Sequence, residues 1–155
     1  MTLSGNQKRQ MKSAARFFAV QALFQMEVSD QTVDKVRVEF EDVRFGEVFD
    51  DYTMAEGDVK LFRELIENAV NNQAKIDQLT DRALVAKWPI ARIDPTLRAT
   101  FRAAGAELIQ GKTPPKVVIS EFVDVVKAFF PESDEAKFTN AVLDHMAREA
   151  KPEAF

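Results

Sequence analysis

Apolar residues recur along most of this chain every three or four positions, the spacing of an amphipathic helix. No stretch alternates with the period of two that a half-buried strand requires. The spacing predicts a first helix over residues 8–28, with Ala15, Phe18, Ala19, Ala22, Leu23 and Met26 facing inward. Ser29-Asp30 interrupts the pattern and is expected to cap a second helix carrying Val33, Val36 and Phe40. Residues 45–52, acidic and containing Gly46, read as a loop or a frayed helix end. Thr53 and Glu56 fit a capping box, in which each side chain serves a backbone amide at the other's position. The helix behind it places Val59, Phe62, Leu65, Ile66, Ala69 and Val70 on one face. Another, over residues 75–87, presents Ile76, Leu79, Ala83 and Leu84.

Proline and glycine punctuate the second half. Trp88-Pro89 marks a joint, because the residue before proline is pushed out of the helical region. Asp94-Pro95 is a helix start: aspartate caps, and proline in the first turn loses no hydrogen bond. That helix covers residues 96–110 and ends at Gly111. Thr113-Pro114 repeats the cap-then-proline signature. Residues 115–130 are apolar almost all round, which predicts a helix in the middle of a bundle. Their β-branched residues also suit a strand, but the stretch is too long for one. Pro131 stops it, and a last helix over residues 134–150 turns Phe138, Ala141, Val142 and Met146 inward. Residues 151–155 are expected to form a loose tail. The reading is an all-α chain of about seven helices, one domain over residues 1–155, divided near Trp88 into halves 1–87 and 88–150.

A chain of 155 residues can bury a sizeable core without a covalent staple. It has no cysteine, which excludes disulfides and cysteine-based metal sites. One histidine, His145, makes no metal pair and is expected near solvent late in the last helix, so no metal and no cofactor is expected. There is no glycine-rich phosphate loop and no G-x-S-x-G elbow, and a single histidine without cysteine leaves no Cys–His pair. The carboxylates read as solvated helix faces, so the expectation is a protein without catalysis. No apolar run reaches membrane-spanning length and no cleavable leader pattern is visible, which points to the cytoplasm.

Charge changes the picture by its distribution. The net charge is −4, yet residues 1–26 hold Lys8, Arg9, Lys12 and Arg16 and no acid. Residues 27–67 hold thirteen acids against five bases. Arg9, Lys12 and Arg16 are three and four apart, with Lys8 beside them, so one helix face can carry them. Such a stripe can follow a phosphate backbone, or it can be a solubilising helix end. Further along, Gln21 and Phe24 offer an amide and a ring that could read and stack an unpaired base; Phe24 equally fits a core ring.

Four blocks in order carry a resemblance. Phe18-Ala19-Val20-Gln21-Ala22-Leu23-Phe24-Gln25-Met26 resembles the first-helix signature of the NusB family of transcription antitermination factors. Leu97-Arg98 to Phe101-Arg102 with Glu107-Leu108-Ile109 resembles its central block. Pro115-Lys116-Val117-Val118-Ile119-Ser120-Glu121 and Lys137-Phe138-Thr139-Asn140-Ala141-Val142-Leu143-Asp144 resemble the two that follow. The likeness spans about residues 8–147. Ser13 and Ala14 thin the family's arginine cluster, Phe24 stands where tyrosine is usual and Met26 where an aromatic is common. Ser120 stands for the usual Asn, and Ala141 for Gly.

The resemblance implies two three-helix subdomains, with a seventh helix common in the family. It implies no catalysis, and a role in processive antitermination of ribosomal RNA transcription. The partners it implies are boxA-like single-stranded RNA and NusE, which is also a small-subunit ribosomal protein. Other Nus factors and RNA polymerase complete that assembly. By motif position, Lys12 and Arg16 match the family's basic segment, Phe24 its tyrosine, Arg102 an arginine of the central block, and Lys137 and Phe138 the start of the last motif. With Lys8, Arg9 and Gln21 these are the candidate RNA-binding residues. The alternatives are a helical protein–protein adaptor or an rRNA-modification accessory module without sequence-specific RNA binding of its own.

Overall fold

The computed structural model describes residues 4–44, 48–49, 52–53, 58–87 and 93–155. Ser4 decides where the first helix begins. Its hydroxyl accepts from the Gln7 amide at 3.1 Å, and the Gln7 side chain accepts from the Ser4 amide at 2.8 Å. This reciprocal cap starts α1, Gly5–Ser29, ahead of the expected residue 8. Asp30, in the left-handed region at φ 56°, ends it, donating its amide to the Met26 carbonyl at 3.0 Å. The second helix, α2 (Val33–Glu39), is capped by Thr32 rather than by Ser29 or Asp30: the Thr32 hydroxyl accepts from the Lys35 amide at 3.2 Å. A π-helical turn, Phe40–Arg44, extends it.

The capping box expected at Thr53 depends on Glu56, which lies outside the described residues. Thr53 lies in a two-residue strand, β2 (Tyr52–Thr53), antiparallel to β1 (Val48–Phe49). The cap of α3 (Val59–Asn71) is Asp58, whose carboxylate accepts from the Leu61 amide at 2.9 Å. The Asp58 amide in turn donates to the Met11 carbonyl at 3.0 Å and ties this end of α3 to α1. Gly46, Glu56 and the Trp88-Pro89 joint lie outside the described residues. After α4 (Gln73–Lys87), α5 (Pro95–Gln110) starts as expected, with the Asp94 carboxylate accepting from the Thr96 amide at 2.7 Å. At Gly111 the backbone turns extended and ends α5, its amide donating to the Glu107 carbonyl at 2.9 Å, and a Cβ there would stand 2.5 Å from that oxygen. No side chain caps α6 (Pro115–Phe129); Thr113, expected to do so, turns its hydroxyl into the interior instead. The last helix is α7 (Glu135–Ala150).

The centre of the bundle is α5, not the more apolar α6. α5 packs against α1, α3, α4, α6 and α7, whereas α6 meets α1, α5 and α7. Small residues explain the difference. Ala99, Ala103, Ala104, Gly105 and Ala106 are all buried and let neighbours close in on several sides. At Gly105 an added Cβ would stand 2.5 Å from Ile76 Cγ2 of α4. α6 buries Val118, Ile119, Phe122, Val125 and Val126 but leaves Val117 44% exposed. Phe18, Phe40 and Phe62 form a buried aromatic chain with centroids 6.3 and 5.8 Å apart.

α4, which the Trp88 joint assigns to the first half, packs on α5 and α7 as well as on α3. The tail is not loose. It forms a 3-10 turn at Pro152–Ala154, Lys151 Nζ donates to the Gly111 carbonyl at 3.0 Å, and the Arg148 guanidinium lies 4.4 Å from the Phe155 ring centroid. His145 is half-buried rather than near solvent, its Nδ1 enclosed without a hydrogen-bond partner.

Candidate nucleic-acid interface

The basic head of α1 does not present its cations on one surface. Lys8, Arg9 and Lys12 are exposed, but Arg16 is only 3% exposed. Its Nε and Nη2 donate to the two carboxylate oxygens of Glu107 on α5, at 2.9 and 2.8 Å. Its Nη1 stands 3.2 Å from Glu121 on α6. Ser13 donates to Glu121 at 3.0 Å, and Thr113 to Glu107 at 2.7 Å. Burial alone would depress the Arg16 pKa; the Glu107 hydrogen bond and charge, then Glu121 and Asp58, outweigh it and hold the guanidinium above its ordinary value. The bidentate fork and the hydroxyl donors satisfy the pair from several sides, which a buried ion pair requires. Arg16 is therefore an internal staple joining α1, α5 and α6, and the expectation that it faces phosphate is corrected.

The remaining cations divide around α1. Arg9 lines an open groove of about 970 Å³ between α1 and α6. Lys12 lines a different cleft, of about 530 Å³, between α1, α3 and the end of α5, with Lys60 and Lys112. Gln21 and Phe24 do come together, in a cleft of about 280 Å³ that Phe129 of α6 and Thr96 of α5 also line. Phe24 is half-buried and rests against the core, so it is neither a fully buried ring nor a free one. Along α1 it lies roughly 18 Å from Lys12, twelve residues at the helical rise.

Arg102 is held by carboxylates. Its Nε and Nη2 donate to Asp77 of α4, both at 3.1 Å, and its Nη1 donates to Glu27 of α1. Burial would lower its pKa, but the Asp77 and Glu27 contacts raise it above the ordinary value. Its guanidinium is thus paired with carboxylates of α4 and α1, on a side chain that stays 14% exposed. Lys137 is exposed in the first turn of α7. Phe138 is half-buried, its centroid 6.2 Å from that of Phe101, and does not line the Gln21–Phe24 cleft.

A model described as the NusB family matches residues 13–148. The chain belongs to the NusB family. The transcription antitermination protein NusB of Agrobacterium fabrum is 42% identical over 144 residues, covering 92% of this chain and 87% of that protein. NusB of T. maritima superposes with a TM-score of 0.72 at 29% identity, over 100% of this chain and 99% of that one. A NusB solved with NusE and double-stranded RNA shares the fold, at a TM-score of 0.70 and 24% identity over 88% and 96% of the two chains.

The NusB match takes in Arg16, Gln21, Phe24, Arg102, Lys137 and Phe138 and leaves Lys8, Arg9 and Lys12 ahead of it. Sequence reasoning missed the partners that capture Arg16. Glu107 carried a signal, as a lone acid in the small and apolar run Ala103-Ala104-Gly105-Ala106-Glu107-Leu108. Thr96 and Phe129, which complete the Gln21–Phe24 cleft, carried none, because only the meeting of α1, α5 and α6 assembles them.

Proposed function

We propose that this chain is a transcription antitermination factor that binds boxA-type single-stranded RNA of nascent rRNA transcripts together with NusE and so supports processive rRNA transcription. Other Nus factors and RNA polymerase complete the assembly, in the cytoplasm, and the protein contributes binding rather than catalysis. Among the described residues no helix is long and apolar enough to cross a membrane. Family membership supports the role, and the observation that carries RNA binding is the Gln21–Phe24 cleft. A half-buried ring stands beside a second ring and an amide, which suits an unpaired base. The contacts we propose are Lys8, Arg9, Lys12, Gln21, Phe24, Lys137 and Phe138, which lie around α1 and on α7 rather than on one surface. Arg16 and Arg102 support them from within.

Titration of a boxA-like single strand and of a duplex, each with and without NusE, tests the reading. The single strand is expected to bind more tightly, and NusE to strengthen it, because two basic surfaces neutralise more phosphates than one. Phe24→Ala is expected to weaken single-strand binding by roughly 1–3 kcal/mol with the salt dependence unchanged. Equal affinity for both RNAs, or no effect of Phe24→Ala, contradicts a base-reading role.

A further inference from the structure

The block Lys116-Val117-Val118-Ile119-Ser120-Glu121 is only partly explained by the core. Val118 and Ile119 are buried, and Glu121 turns to Arg16 and Ser13. Lys116, Val117 and Ser120 are left exposed on the α1/α6 groove. Across the groove stands Arg9, and among the described residues neither Lys116 nor Arg9 has an ion-pair partner. Of the groove's acids, Glu121 is held by Arg16 and Ser13, while Asp124 is exposed, with Lys127 of the same helix 4.0 Å away.

The groove and the base cleft share no lining residue, but a stacked pair of rings joins them. Arg9, Ser13, Phe17 and Gln21 recur every fourth residue, one row along α1 that spans roughly 18 Å. Phe17 lines the groove and stacks on Phe129, with centroids 5.0 Å apart and planes at 7°, and Phe129 lines the cleft. Two unpaired cations face each other at one end, and rings lead to an amide and a half-buried ring at the other. We propose that the α1/α6 groove is a second RNA subsite, in which the single strand continuing from the base at Gln21 and Phe24 lies with its phosphates against Arg9 and Lys116. This rests on the proposed RNA-binding function and adds Lys116 and the path of the strand to it. The apolar floor of Ala14, Phe17 and Val117 suits base and ribose faces.

The test is the salt dependence of binding of a boxA-like single strand by the full chain. Lys116→Ala and Arg9→Ala are each expected to reduce the log–log slope by up to about 0.7, a gap to the parent protein that narrows roughly 2.6-fold as salt rises fourfold. Lys75→Ala, at an exposed position of α4, which has no substantial contact with α1 or α6, is the control and is expected to leave the slope unchanged. Parent protein that binds no RNA sinks the functional reading, and the groove with it. Parent protein that binds while Lys116→Ala and Arg9→Ala keep its slope overturns the groove alone. So does Val117→Lys that abolishes NusE capture with RNA binding intact, which assigns the groove to the protein partner.

Discussion

Arg16 and Glu107 are the two charged residues buried in the core among the described residues, and their pairing sets what each can do. By angle alone Arg16 is about 40° round the helix from Lys12, so spacing put them together. Spacing gives direction round a helix but not depth. At Arg16 the helix has passed under α5 and α6, and the same direction points into protein. Lys12, one turn earlier, still meets solvent. Arg16→Ala leaves the Glu107 carboxylate buried without its main partner, and the expected cost is about 3–5 kcal/mol. Arg16→Met with Glu107→Leu removes both charges and is expected to recover most of that loss, since apolar replacement of a buried pair is often close to neutral. Urea melts of the two variants and of Glu107→Leu alone complete the comparison. A loss below about 0.5 kcal/mol for Arg16→Ala, the range of ordinary surface substitutions, contradicts the staple.

Helical spacing revealed the long elements because each buries one apolar stripe, and the positions of α3 to α7 follow from it. What it did not reveal were caps and rank in the bundle. Thr113 carried a cap's signature, but its hydroxyl donates to the buried Glu107 carboxylate and accepts from no first-turn amide of α6. α6 carried more apolar side chains than α5, but centrality depends on size as well as polarity, and the alanines of α5 admit five neighbours. The π-helical turn had no signature either, and charge holds it to α3. Arg63 donates Nε and Nη2 to the Glu41 carboxylate, the latter at 3.1 Å, and Arg37 adds a contact at 3.3 Å. The Arg63 hydrogen bond, against an opposing effect of burial and with the charges of Arg63 and Arg37, holds the Glu41 carboxyl below its usual pKa. Such a depressed carboxyl contributes stability that is full above the unfolded value of about 4.3 and is lost as pH falls through the lower folded one. Glu41→Gln is thus expected to be less stable than the parent at pH 7, with the gap closing under acid. Melts at pH 7 and near pH 3 measure it; an equal gap at both shows that the ion pairs do not hold the turn.

At the scale of the molecule, the net charge of −4 argues weakly against nucleic acid, while the arrangement of charge argues for it. Acids outnumber bases overall, but the structure pairs Glu27, Glu41, Asp77, Asp81, Glu107 and Glu121 with arginines. Lys8, Arg9, Lys12, Lys116 and Lys137 stay exposed. The candidate site was legible as a list of residues but not as a surface, since its clefts arise where α1, α5 and α6 meet. The same meeting governs how the protein unfolds. The buried residues form one continuous cluster from Ala14 to Ala147, and α5 contacts helices on both sides of the expected division at Trp88. If the halves were separate cores, a cavity in one would leave the other's stability unchanged. Phe122 on α6 is fully buried, and Phe122→Ala is expected to cost about 3–5 kcal/mol, the lost transfer energy plus the cavity. α6 has no substantial contact with α3, so the loss reaches α3 through the helices between them, α1 and α5 on one route and α7 and α4 on another. Native-state hydrogen exchange reads it directly: the slowest amides of α3 and of α7 are expected to lose protection equally, because both open only when the shared core does. Loss confined to α6 and α7, with α3 protected as before, shows two cores that unfold apart.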